Sequence, residues 1–504
     1  MQANLTPQKS IFGSGHWIQT TLLVLVFLIG FGIRLVNLKS APLDFHAPRQ
    51  LRSALIARGL YYRMLPNADP ILRQQAMNLG TLEVYEPPIF EGLVALTYKI
   101  ARHEILWVSR IFSDVFWMIG GLALLQLGRR FARWDATLIS LGFYFFLPFS
   151  VTASRSFQPD PWMVMWILLF AWGLVRWCEK LTWKRAVIAG LLGGMAVLVK
   201  AFAGFFILAI VASVLVEEWK TIRPLRNPKV YLIGLLIALP PLIYYVFILG
   251  GRSASFLSFW TGLMIQMVLT TKFYAQWLAM IKGLMGLTVV IAALLGVTLA
   301  KPRLRAVLLG GWLGYGLFAL SSPFQFVTHE YYHLALVPIV ALSLVPLLDV
   351  LCAAMADLSW LWRLAAVGVL LFAAGYSLYV ERSILASQNY QSEVISWERV
   401  GAAVPQNHSF IAFTADYGVR LRYFGWRVAS AFWPSSSDLN LADLRGNAKM
   451  DVSAYFKDAT NGMDYFLVTA LGELDKQPEL KEILQGYPVY YKGNGFTIYD
   501  LRMQ

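Results

Sequence analysis

The chain has 504 residues, 58% hydrophobic and 14% charged, with a mean hydropathy of +0.56. Soluble domains carry about 25% charged residues, so a wholly water-soluble protein is excluded. The formal net charge of +14 would suggest nucleic acid in a soluble protein, but much of the Lys and Arg lies between apolar runs, where bilayer orientation accounts for it; no nucleic-acid partner is expected.

The first apolar run, Trp17 to Val36, has about the length of one membrane span. It lacks a small-x-small cleavage site and so reads as a retained first helix. A mixed polar segment, Asn37 to Glu86, follows. Further spans are expected at 104–128, 135–153, 161–177, 186–199, 202–216, 230–249, 277–300, 306–320, 333–350 and 363–380, about eleven in all.

Basic residues alternate between connectors. Arg129, Arg130 and Arg133 share one, Lys180, Lys184 and Arg185 a second, Lys220, Arg223, Arg226 and Lys229 a third, and Lys301, Arg303 and Arg305 a fourth. The intervening connectors hold only Arg155, Arg252 and Lys272. The positive-inside rule places the first set in the cytoplasm, with the N-terminus inside and the C-terminus outside a plasma (inner) membrane. Cys178 and Cys352 then lie on the cytoplasmic side, where no disulfide framework is expected. Pro87 to Ala101 is too short to cross and would invert all later connectors, so it reads as an interfacial or re-entrant helix. The outer loop 37–103 is itself basic, with Arg49, Arg52, Arg58, Arg63 and Arg73.

Beyond Val380 the composition turns polar and alternating. Strands are expected at Ser409–Thr414, Arg427–Ala431, Tyr465–Val468, Val489–Tyr491 and Phe496–Tyr499, with helices at Leu439–Leu444 and Leu480–Gln485. The predicted fold class is a mainly α polytopic membrane protein: a transmembrane catalytic domain, 1–380, with a soluble extracytoplasmic α/β domain, 381–504.

Four features fall on the expected outer face. Asp44 sits in Pro42-Leu-Asp-Phe-His-Ala-Pro-Arg-Gln just after the first span, as a site residue or a helix cap. Asp160 in Ser154-Arg-Ser-Phe-Gln-Pro-Asp-Pro has the same two readings, with Pro161 at a helix start. Lys200 interrupts an apolar stretch at a cost of about 2.5–3.5 kcal/mol at a span centre. It is cheaper at an outer turn, either snorkelling or binding a lipid phosphate. Thr328-His-Glu-Tyr-Tyr-His formally matches the zinc motif His-Glu-x-x-His; a third ligand and open site are missing, and an interfacial aromatic belt reads better.

Together these features resemble the GT-C superfamily, in particular its protein O-mannosyltransferase and aminoarabinose-transferase branch. The residues are Asp44, Glu86-Pro87-Pro88, Arg155 with Asp160, Gly190–Lys200 and His329–Pro338. The resemblance implies a polyprenyl-phosphate-linked sugar donor, a lipid, protein or glycan acceptor, and inverting transfer at the bilayer's outer surface. It makes Asp44 the general base and Asp160 the second-loop acid. Arg155, Lys200 and His329 become ligands for the donor phosphate. His46, Arg49, Glu86, Glu330, Tyr331 and Tyr332 complete the expected substrate-binding set. No cofactor is implied, and a divalent metal is compatible with the pattern. Two positions depart from it: Glu86 precedes Pro-Pro where a basic residue is common, and Phe45 follows Asp44 where a second acid occurs. The alternative classes are a lipid-linked sugar flippase or transporter, which would carry ionisable groups near mid-membrane, and a sensor.

Overall fold

The computed structural model describes residues 9–13, 15–82, 85–219, 226–250, 264–446 and 449–503. The cations Lys220, Arg223 and Arg252 lie outside the described residues. The chain is a mainly helical polytopic membrane protein with one small sheet. It forms two compact units.

The first unit comprises Met1–Leu38, Val84–Ile89 and Trp107–Gln388. Among the described residues, 7 helices are long and apolar enough to cross a membrane, or up to 9 with two bent pairs. One pair, Trp134–Phe146 with Pro148–Ser154, bends by 59°. Leu147 is extended there, the conformation that a following proline favours. The other, Thr271–Met285 with Leu287–Leu299, bends by 94° at Gly286, whose φ of +81° suits glycine. The expected spans 186–199 and 202–216 are 17-residue helices, Trp183–Val199 and Ala203–Trp219. Gly310 and Gly314 set the second against Pro302–Ser321. A Cβ at Gly314 would lie 2.7 Å from Phe206 Cα, and one at Gly310 would strike Ile210 Cα. Small residues one turn apart allow such close backbone approach.

The second unit comprises Lys39–Glu83, Phe90–Leu106 and Asn389–Gln504. The loop after the first span is thus ordered helix, Ala47–Arg63 and Pro70–Leu79, and Ile89–Ala101 is a 13-residue helix. Gly80 meets Gly59 so closely that a Cβ would lie 2.8 Å from Gly59 Cα. The expected boundary at 380 falls inside Trp360–Ser387, a single 28-residue helix.

Five strands, β1 (Phe410–Phe413), β2 (Ala431–Phe432), β3 (Tyr465–Val468), β4 (Val489–Gly493) and β5 (Phe496–Asp500), lie in the order β2-β1-β3-β5-β4. The first three are parallel and the last two antiparallel. One face packs Val400, Leu421, Tyr465 and Phe496; the other packs Trp433, Phe456, Phe466 and Leu480. The strand expected at Arg427–Ala431 begins only at Ala431. Gln391–Ala403, Val419–Phe424 and Val452–Ala459 are helices that the alternation pattern did not reveal.

Candidate functional site

Lys200 ends the Trp183–Val199 helix in extended geometry (φ −155°, ψ 118°), and a new helix starts at Ala203. The lysine therefore sits at a turn between two short helices. Its Nζ lies 2.7 Å from Asp160 Oδ1, and each side chain is 3% exposed. The rings of Tyr331 and Tyr332 each lie 5.3 Å from that Nζ, so attraction to two ring faces adds to the ion pair.

Asp160 is in the first turn of Pro159–Glu179. The capping position belongs to Gln158, which makes no side-chain cap bond; Asp160 is a counter-ion and not a cap. Its Oδ2 is buried and accepts no hydrogen bond among the described residues. A buried charge is tolerable when it is paired, and Lys200 supplies the pairing.

The tyrosines are held from behind. His333 bridges Tyr315 Oη at 2.6 Å and the Phe326 carbonyl at 2.8 Å. This pins the turn Glu330–His333, a 3₁₀ turn. Phe318 lies 5.4 Å from Tyr332 and 4.8 Å from Phe326. His329 is extended (φ −132°) and packs edge-on to Tyr331 at 5.6 Å, with Glu330 half-buried beside it. The two histidines therefore do not share an α-helical face, and both nitrogens of His333 are engaged. A small apolar cavity is lined by Val164, Leu168, Ala171, Pro338 and Leu342. Val164, Leu168 and Ala171 share the helix face of Asp160 by spacing.

Arg155, five residues before Asp160, is 1% exposed. It donates to the Val36 carbonyl at 2.8 Å and the Asn37 carbonyl at 3.4 Å. Arg110 donates to Leu38 O at 2.8 Å. Both guanidiniums thus satisfy carbonyls of the turn that follows the first helix, His16–Arg34. Arg34 and Asp114 form a second buried pair, 3.7 Å apart with both side chains 0% exposed. Arg34 also donates to Ser154 Oγ at 2.7 Å, which fixes the loop leading to Asp160. Sequence reasoning passed over these two, although ionisable residues inside apolar spans are a signal in themselves. Glu86 is half-buried, and its carbonyl accepts from Tyr244 Oη at 3.2 Å.

Asp44, His46 and Arg49 belong to the second unit. Asp44 accepts from Gln50 Nε2 at 3.0 Å, and the same amide donates to Phe45 O at 2.7 Å. The cap of Ala47–Arg63 is His46, whose φ of +45° is left-handed, an uncommon geometry for a residue with a Cβ. Asp44 is therefore not the cap. Arg49 is half-buried in the first turn of that helix. Further along, Arg58 lies between Tyr423 at 4.0 Å and Trp426 at 4.3 Å. Its Nε donates to both oxygens of Glu104, at 3.0 and 3.1 Å. Burial alone would lower its pKa, but Tyr423 and Glu104 outweigh that and raise it. Burial in turn pushes the Tyr423 phenol up to about 12.

Residues 85–247 match the family model of dolichyl-phosphate-mannose-protein mannosyltransferases. That segment holds Glu86, Arg155, Asp160 and Lys200. Solved structures extend the likeness to nearly the whole chain. ArnT from Cupriavidus metallidurans, bound to undecaprenyl phosphate, is 12% identical over 97% of this chain and 98% of its own, with a TM-score of 0.57. The oligosaccharyltransferase AglB from Archaeoglobus fulgidus, in complex with an inhibitory peptide and a dolichol-phosphate, is 15% identical over 96% of this chain and 74% of its own, with a TM-score of 0.61. The chain shares the fold of these solved structures. A mycobacterial arabinofuranosyltransferase, AftD, shares the fold at a TM-score of 0.51 and 15% identity, over 98% of this chain and 40% of its own. No curated protein matches the sequence significantly. The described residues contain no cluster of three or more potential metal-ligating side chains.

Proposed function

We propose that this protein is a glycosyltransferase that moves a sugar from a polyprenyl-phosphate-linked donor to an acceptor hydroxyl at the extracytoplasmic face of the plasma membrane, with inversion. The observation that carries the reading is the Lys200 ammonium, buried at a helix turn beneath two tyrosine rings and neutralised by Asp160. A buried ammonium whose carboxylate counter-ion a phosphate can replace suits a lipid phosphate. The family match across residues 85–247 supports it, as do the undecaprenyl phosphate of ArnT and the dolichol-phosphate of AglB.

In this mechanism the donor phosphate takes over Lys200 from Asp160. Asp44 removes the acceptor hydroxyl proton. The acceptor oxygen bonds to the anomeric carbon through an oxocarbenium-like state. The bond from that carbon to the phosphate oxygen breaks, and polyprenyl phosphate leaves with the electron pair. The developing charge on phosphate is met by Lys200, because preorganised cations act where charge grows. His329 and the Tyr331–Tyr332 pair flank the phosphate, and His46, Arg49, Glu86 and Glu330 are the remaining substrate-binding residues. The positive-inside pattern supports a cytoplasmic N-terminus and an extracytoplasmic C-terminal segment.

The test is transfer by purified protein from a prenyl-phosphate sugar to membrane-extract acceptors. Asp44→Asn should abolish transfer without loss of expression. Retained activity rejects Asp44 as base, and binding of the donor without turnover favours a flippase.

A further inference from the structure

The last hairpin of the second unit carries an arrangement that the transfer reaction does not use. In a regular strand, successive side chains point to opposite faces. In β4 the register shifts between Val489 and Tyr491, and such bulges re-aim side chains. As a result Tyr490 and Tyr491 both reach the same sheet face. Tyr490 lies 4.9 Å from Tyr465, and Tyr491 stacks on Phe496 at 5.6 Å with a 22° interplanar angle. Tyr465 and Phe496 both belong to the core of that face. Gly493 makes the stacking possible, because a Cβ there would collide with the Phe496 ring.

The two tyrosines pack on one side and are open on the other, with Tyr490 49% and Tyr491 47% exposed. Their surroundings are polar and charge-balanced. Arg502 lies 4.7 Å above Tyr465 and donates to both oxygens of Asp500, at 3.0 and 2.6 Å. His408 lies 3.2 Å from Asp464 and 5.5 Å from the Tyr465 ring. A hydrophobic partner would strand these polar groups, and the paired charges give little pull on an ionic one. A neutral pyranose fits both: its C–H face covers an aromatic ring and its hydroxyls meet fixed donors and acceptors.

We propose that Tyr490 and Tyr491, with the Arg502–Asp500 pair, form a binding platform for neutral glycan chains on the second unit. This platform does not rest on the donor reading and would hold glycan even if the membrane unit transferred nothing.

The test is saturation-transfer difference NMR on the full-length protein in detergent, with mannohexaose, cellohexaose and an acetylated hexapeptide as probes. At least one oligosaccharide should show saturation of its ring C–H protons. Tyr490→Ala/Tyr491→Ala should weaken the signal roughly five-fold, the scale of one or two aromatic contacts. Tyr490→Phe/Tyr491→Phe keeps the core packing and should retain it. Three results overturn the proposal: no oligosaccharide signal with the wild type, an equal signal with the alanine variant, or a response to the peptide alone.

Discussion

Lys200 Nζ and Asp160 Oδ1 are 2.7 Å apart in surroundings that leave each side chain 3% exposed. Breaking such a buried pair from one side costs about 3–5 kcal/mol, whereas apolar replacement of both partners is often neutral. Lys200→Met and Asp160→Asn should each destabilise the protein, and Asp160→Leu/Lys200→Met should recover most of the loss. Thermal unfolding in detergent measures this. Additive losses would mean that the two charges are not coupled.

Arg155 is engaged with the Val36 and Asn37 carbonyls, so its substitution should act on folding before it acts on donor binding. Arg155→Ala should lower stability by roughly 1.5–3 kcal/mol, the scale for hydrogen bonds made by a charged group, with donor KM changed less than by Lys200→Ala. A large KM effect with unchanged stability would show that Arg155 acts as a phosphate ligand.

Arg58 joins the helix Ala47–Arg63 to Val419–Phe424 through Tyr423, Trp426 and Glu104. Lysine cannot reproduce a planar fork stacked between rings. Arg58→Lys should expose the Tyr423 segment to proteolysis and lower stability by about 1–3 kcal/mol. Unchanged cleavage kinetics would show that the stack contributes nothing.

Acid should weaken the second unit through Glu473. The hydrogen bond from Lys476, followed by those from Ser436, holds its pKa at about 2, below the ordinary 4.5. A depressed carboxylate pKa stabilises the fold above the unfolded value and loses that contribution as pH falls through the folded one. Protection of the Ser436 amide, which donates to Glu473 at 3.1 Å, should therefore fall between about pH 4.5 and pH 2. Hydrogen exchange measures it, and Glu473→Gln should flatten the dependence. Lys476 is 63% exposed and Glu473 30%, so screening by solvent keeps the effect small.

The membrane architecture is legible because long apolar runs leave little choice of structure. Lys200 stood out for the same reason: one ammonium inside an apolar stretch demands an explanation. The pairing of Lys200 with Asp160 was not legible, since 40 residues separate them and only helix packing brings them together. The carbonyls that Arg155 meets were not legible, because sequence gives its charge and not its backbone partners. The tail strands showed by alternation, while the short amphipathic helices such as Gln391–Ala403 were masked by mixed polarity. The shared face of Tyr490 and Tyr491 depends on a bulge, and strict alternation would have placed them on opposite sides.

The central claim concerns Lys200 as the cation that receives the leaving phosphate. Single-turnover transfer from a prenyl-phosphate sugar, compared between wild type and Lys200→Met at saturating donor, tests it most directly. The account predicts transfer by the wild type and a roughly 10²–10³-fold slower step in the variant, the scale for losing one preorganised charge-stabilising contact. Undiminished transfer by a folded Lys200→Met protein would contradict it.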